Sequence, residues 1–352
     1  MIVLIGLSSL RLGQMIGDRI SDYSGGGFLI IYIFFLVMLL VSTALQTAIH
    51  EAGHLVMGLL TGYRFVSYRI FSLMIYRNEE GKLAFRRYSV PGTAGQCLMS
   101  PPDYREPYPF FLYNIGGALF NLLTALMVMV LMRFIRNDCL FVALGSFSLA
   151  GIFTGFGNGV PMQTAMAPND GMNIMEMIRH PSSRRAFWQQ MKSNELLIAG
   201  KRLKDMPDEL FEADEEVFRN GAIGAYVHVL RENRCMDSLE FEKAYELINM
   251  ALSDYPLTGL HRCSFLMDKI TIDCLNGHYE ETKDKQLEAV MKNSRNIAAV
   301  IRCEFAQALY HKDEEKQKKL LKELDDLKEH YPYRADMDME MDIINALQEK
   351  MK

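Results

Sequence analysis

Six cysteines are scattered through 352 residues without one C-x-x-C pair. That spacing argues against a thiolate metal knuckle or a disulfide framework, and reduced thiols suit a region facing the cytosol. Positive charge is not in surplus either. The formal net charge is −5 and no basic stripe follows any helical segment, which excludes nucleic acid as the expected partner. The N-terminus has no basic region or cleavage signal: residues 1–7 are apolar but too short for a signal-peptide core.

Charge of either sign is missing from three long stretches, 23–50, 107–132 and 139–169. Each is long enough to cross a bilayer, which takes roughly 20 apolar residues. The second half of the chain is polar, and a mean hydropathy of 0.00 is the sum of the two unlike halves. The expected divisions are residues 1–27, an amphipathic segment ending in the flexible Ser24-Gly25-Gly26-Gly27; 28–180, a membrane-embedded core; and 181–352, a helical domain.

Proline is absent from 28–60, so one helix is expected there, longer than the hydrocarbon layer is thick. Between 63 and 109 the pattern turns strand-like, with strands at 65–76 and 83–90 joined through Asn78-Glu79-Glu80-Gly81, and a membrane-proximal hairpin is expected. The segment Pro91-Gly92-Thr93-Ala94-Gly95 reads as a loop. Two more spans, 110–132 and 140–157, carry small residues at helical spacing: Gly117, Asn121 and Ala125 on one, Gly151, Gly155 and Gly159 on the other. Seven basic residues between 63 and 109, and Arg179, Arg184 and Arg185 after the third span, outweigh Arg133 and Arg136 in the intervening turn. The hairpin and C-terminus are therefore expected in the cytosol. The fold class is mainly α, a polytopic membrane protein with three core transmembrane helices and a β-hairpin, followed by a soluble α-helical repeat domain. Repeats are read from Ala244, Ala251 and Pro256, then Thr282, Ala289 and Ser294, then Leu320, Leu327 and Pro332, recurring at about 38 residues and resembling tetratricopeptide repeats.

The sharpest chemical signal is His50-Glu51-Ala52-Gly53-His54. On a helix, residues four apart share a face, so both imidazoles can converge on one ion while Glu51 reaches its water. Ionisable groups inside a spanning helix are costly, and coordination to zinc offsets that cost. A third ligand must come from elsewhere. Asp170 ends the third uncharged stretch at the depth where an antiparallel bundle returns to the histidines. The same carboxylate suits a helix N-cap, as does Asn169, and Glu176 with His180 is a second ligand pair to weigh.

The H-E-A-G-H span, the hairpin, Gly116-Gly117-Ala118-Leu119-Phe120-Asn121 and the Asn158…Pro161…Asp170-Gly171 segment resemble, in this order, the core of the site-2 protease family of intramembrane metalloproteases, over residues 28–178. The resemblance implies a three-span core, zinc held by His50, His54 and Asp170, Glu51 as general base, and cleavage of membrane-embedded or membrane-released peptides. Asn121 and Asn158 are further candidates, as donors to the developing oxyanion or to the substrate backbone. The chain departs from the family in an insert, 162–169, between its N-x-x-P and D-G elements. The expected partners are the lipid bilayer, a transmembrane or membrane-associated peptide, and a protein on the helical repeats; the expected location is a bacterial cell membrane. The alternative is a catalytically idle scaffold acting through those repeats.

Overall fold

The computed structural model describes residues 2–78, 81–88, 93–164, 167–329, 331 and 333–351. Among them are fourteen α-helices and one four-stranded antiparallel sheet, in two compact units.

The first unit comprises Met1–Thr61, Pro109–Met162 and Asn169–Ile174. It contains α1 (Ile2–Ser21), α2 (Gly26–Leu60), α3 (Phe110–Met132), α4 (Asp138–Gly159) and the start of α5 (Asp170–Arg179). Helices α2, α3 and α4 are each long and apolar enough to cross a membrane. At 35 residues α2 runs to roughly 50 Å, well beyond a hydrocarbon core of about 30 Å. The usual distribution of polarity is inverted here. Leu29, Ile30, Leu40, Leu126 and Phe153 face outward, whereas Ser42, Gln46, Asn121 and Ser146 are buried.

Glycine sets the spacing of the bundle. A Cβ on Gly53 would lie 2.3 Å from the carbonyl oxygen of Gly116, and one on Gly116 2.5 Å from that of Gly53, so α2 and α3 cross backbone against backbone. The N-terminal segment is a full helix rather than a short piece. Its Leu12, Ile16 and Ile20, spaced four apart, bury against Met132, Phe141 and Val142, and Arg19 and Tyr23 both bond the Asp138 carboxylate at the head of α4. This ties α1 into the same compact unit as the spans.

The second unit holds the sheet and the polar helices. The expected hairpin is a four-stranded sheet, β1 (Arg64–Ile70), β2 (Leu73–Arg77), β3 (Leu83–Arg87) and β4 (Gly95–Ser100), in the order β3-β2-β1-β4. The stretch read as one strand over 65–76 folds back at Phe71-Ser72, with Ile70 paired to Leu73 and Phe71 at a φ of 51°. No glycine, asparagine or proline marks that turn, which is why the sequence hides it. Strand β4 has none of the β-branched residues that announce strands. Val66, Met74 and Tyr76 pack with Ile198 on one face of the sheet. The acidic turn residues Glu79 and Glu80, the end of the expected strand at 89–90, and Pro91-Gly92 of the glycine-rich loop lie outside the described residues.

The helices that follow are α6 (Ser183–Ile198), α7 (Glu215–Asn220), α8 (Ala222–Asp237), α9 (Phe241–Asp254), α10 (Gly259–Leu275), α11 (Lys285–Asn293), α12 (Ala298–Tyr310), α13 (Glu314–Lys328) and α14 (Arg334–Lys350). Ala251, Ala289 and Leu327 fall on α9, α11 and α13, but Thr282 lies in the connection before the short α11, and Pro332 is outside the described residues. Helix α14 packs on α12 and also returns to α8 and α6. An open solenoid touches only its neighbours; this stack closes. At its centre Arg302 on α12 is sandwiched by Asp268 on α10 and Glu340 on α14, with Glu232 of α8 beside them, all four fully buried.

Candidate metal centre

The long apolar helix α2 carries a single polar stripe. Ser42, Gln46, His50 and His54 follow one another at intervals of four, so all four lie on one face, and all are buried. Glu51 is buried beside them.

His50, His54 and Asp170 come together. The two Nε2 atoms are 3.1 Å apart, and Asp170 Oδ2 is 3.0 Å from His50 Nε2 and 3.4 Å from His54 Nε2. The other face of each ring fixes its proton. His50 Nδ1 donates to the Asn121 side-chain oxygen at 2.8 Å, and His54 Nδ1 donates to the Tyr113 carbonyl oxygen at 2.8 Å. Both partners are acceptors, so a neutral ring carries its hydrogen on Nδ1 and turns a bare lone pair inward from Nε2. Two nitrogen lone pairs and a carboxylate oxygen thus face one point, and Asp170 Oδ2 has no hydrogen-bond partner among the described residues. One shared proton can bridge only one pair of these atoms. A cation serves all three, and these three residues can hold a metal ion. Ligand atoms about 2 Å from a small tetrahedral ion stand roughly 3.3 Å apart, close to the spacings found.

Asp170 is delivered by its neighbours. Asn169 takes the cap of α5, accepting from the Met172 backbone N–H at 2.9 Å, which relieves Asp170 of that duty. The Asn169 amide donates to the carbonyls of Gly157 and Val160 at the end of α4, at 2.7 and 2.6 Å. The insert is pinched off at its base: Met162 N–H donates to the Asn169 side chain and Asn169 N–H to the Met162 carbonyl. The two family-like elements therefore meet despite the intervening residues. Gly171 allows this approach, since a Cβ there would lie 2.4 Å from the Gly159 carbonyl oxygen. Gly117 does the same for His50, whose ring lies where a side chain would begin, 2.5 Å from the Cβ position.

The alternative pair does not form a site. Glu176 accepts from the backbone N–H groups of Ile223 and Gly224 and so caps α8, at 3.1–3.2 Å. Burial raises its carboxyl pKa against the opposing pull of those amides. Of the two asparagines, Asn121 reaches the centre through His50. Asn158 donates to the Thr154 carbonyl one turn back on its own helix.

Two residues at this centre, Gln46 and Tyr113, escape a reading of motifs, and Asn169 was legible only as a candidate cap. Gln46, with no exposed surface, meets Asn121; Asn169 holds the head of α5 in place; Tyr113 contributes a backbone carbonyl and a ring 5.6 Å from that of His54. Gln46 was detectable, being a polar residue four positions before His50 in an otherwise apolar run, whereas a backbone carbonyl leaves no trace in sequence. Comparison with protein-family models, curated proteins and solved structures finds no match to this chain.

Proposed function

We propose that this chain is an intramembrane zinc metalloprotease, in which His50, His54 and Asp170 hold the ion and Glu51 is the general base. The observation that carries the reading is the convergence of two imidazole lone pairs and a carboxylate inside helices apolar enough to sit in lipid. Two nitrogens and one oxygen are a donor set suited to zinc, and three protein ligands leave a coordination position for chemistry.

When bound, zinc supplies Lewis acidity toward a peptide carbonyl and acidifies water. Glu51, buried one position beyond the first ligand on the same helix, takes the proton from the attacking water and passes it to the departing amine. The bundle excludes bulk water from this transfer. A substrate helix hides its carbonyls in its own hydrogen bonds, so its scissile segment unwinds before it is cut. In this reading α2, α3 and α4 cross a cell membrane, and the basic loops place the C-terminal helical domain in the cytosol, where it binds a protein partner.

The test is the protein purified in mild detergent, compared with Glu51→Gln. Both forms should carry one zinc per chain, and only the unaltered form should generate new ends in a membrane-spanning peptide. Equal cleavage by both, or metal in neither, removes the proposal.

A further inference from the structure

Asn121 lies on the second family-like segment and invites assignment as a donor to a substrate oxygen. Its hydrogen bonds leave it none to give. The two amide protons go to the backbone carbonyl and to the side-chain oxygen of Gln46, both at 2.7 Å, and its own oxygen accepts from His50 Nδ1 at 2.8 Å. The bond to a backbone carbonyl fixes which end of the Asn121 amide is nitrogen. Gln46 is oriented in the same manner: its amide nitrogen donates to the Phe147 carbonyl of α4 at 3.3 Å, leaving its oxygen to face Asn121. Neither side chain has exposed surface. A Cβ on Gly151 would lie 2.6 Å from the Gln46 amide nitrogen, so glycine on α4 makes room for that amide.

We infer that Gln46 and Asn121 are positioning residues, a relay running from a backbone carbonyl of α4 through α2 and α3 that holds the His50 proton on Nδ1 and aims the Nε2 lone pair at the metal. The inference rests on the metal reading above and assigns no substrate contact to Asn121. Each step has one polarity only. The Phe147 oxygen fixes Gln46, the Gln46 oxygens fix Asn121, and the Asn121 oxygen fixes the ring. Partners of this kind orient ligating imidazoles and raise their basicity, and losing one typically costs roughly 10–100-fold in metal affinity.

The full chain in detergent, stripped of metal and titrated with cobalt(II), separates the possibilities through the dissociation constant and the ligand-field spectrum. Asn121→Ala should weaken cobalt binding by roughly 10–100-fold and alter the spectrum. Asn121→Asp keeps an acceptor opposite His50 but loses the donor to the two Gln46 oxygens, so it should bind cobalt more tightly than Asn121→Ala and more weakly than the unaltered protein. Gln46→Leu should give a smaller loss in the same direction, and decides the matter if Asn121→Ala does not fold. Unchanged cobalt affinity and spectrum in Asn121→Ala, or in Gln46→Leu where that variant decides, overturn the relay while leaving the metal site standing. An unaltered protein that takes up no cobalt overturns the metal site and the relay with it.

Discussion

Each unit of this molecule buries a polar cluster, and the two clusters are composed in opposite ways. In the helical unit the cation is a side chain: Arg302 is fully enclosed and bonds Asp268 on one side and Glu340 on the other. In the unit of long apolar helices two imidazoles and a carboxylate turn toward a common point that could hold a metal ion, with the Glu51 carboxyl buried beside them. Neutral amides and backbone carbonyls surround that point, and they set proton positions without adding charge. A cluster that contains its own counter-ion is a structural element. One built from acceptors aimed at each other is built for something that comes from outside.

The largest test of this contrast removes the carboxylate. On the proposed function, Asp170→Ala should reduce bound metal from one per chain to almost none, by elemental analysis, and abolish cleavage. The reciprocal change is Arg302→Met, which leaves Asp268 and Glu340 buried without their cation. Breaking a buried pair in this way costs about 3–5 kcal/mol. The midpoint of urea unfolding should fall accordingly while metal content stays at the wild-type level. If Arg302→Met also emptied the metal site, the two clusters would not be independent.

What was legible in the sequence divides along the same line. The ligands on α2 announce themselves because histidine and glutamate are expensive in an apolar run, and each needs a reason to be there. Asp170 was legible as one of several possibilities; the decisive fact, that Asn169 takes over the helix cap, lies in side-chain geometry. The sheet was half-read, since the turn at Phe71-Ser72 has no glycine, asparagine, aspartate or proline to betray it, and a lone serine is a weak signal. The closure of α14 onto α8 was not legible at all. Period and composition describe a repeat and its neighbour, and they carry no information about a contact more than a hundred residues away.

A smaller effect sharpens the account of the metal cluster. Gly117→Ala places a methyl group 2.5–2.6 Å from the His50 ring atoms. The ring must move or the helices must part, and either displaces His50 Nδ1 from its 2.8 Å bond to Asn121. Metal affinity should fall within the roughly 10–100-fold range of an orienting contact, less than for loss of a ligand. Gly13→Ala on α1 is the control: nothing lies within 4 Å of its Cβ position, so affinity should stay as it is.

The last test concerns protons in the helical cluster. Arg302 carries one positive charge against two carboxyl groups, Asp268 and Glu340, and so has none left over for Glu232. Neither Glu232 oxygen has a hydrogen-bond partner among the described residues. Burial, reinforced by the nearby Asp268, pushes its pKa well above the usual carboxylate range against the pull of Arg302. The folded chain therefore keeps a proton that the unfolded chain releases near 4.5. Stability from this group is complete below that value and declines as pH rises toward the folded pKa, by up to about 1.4 kcal/mol per pH unit. Glu232→Gln, which cannot ionise, should flatten that part of the slope: little changed from the parent at pH 4.5 and more stable at pH 8. Urea unfolding of both proteins across this range measures it. A parent slope that survives the substitution would place the titrating proton on Glu340 or on Asp336 one turn earlier on α14, whose pKa values burial also raises, each to about 7. With the proton on Glu340, Glu340→Gln would remove the slope, at the cost of one of the two bonds that neutralise Arg302.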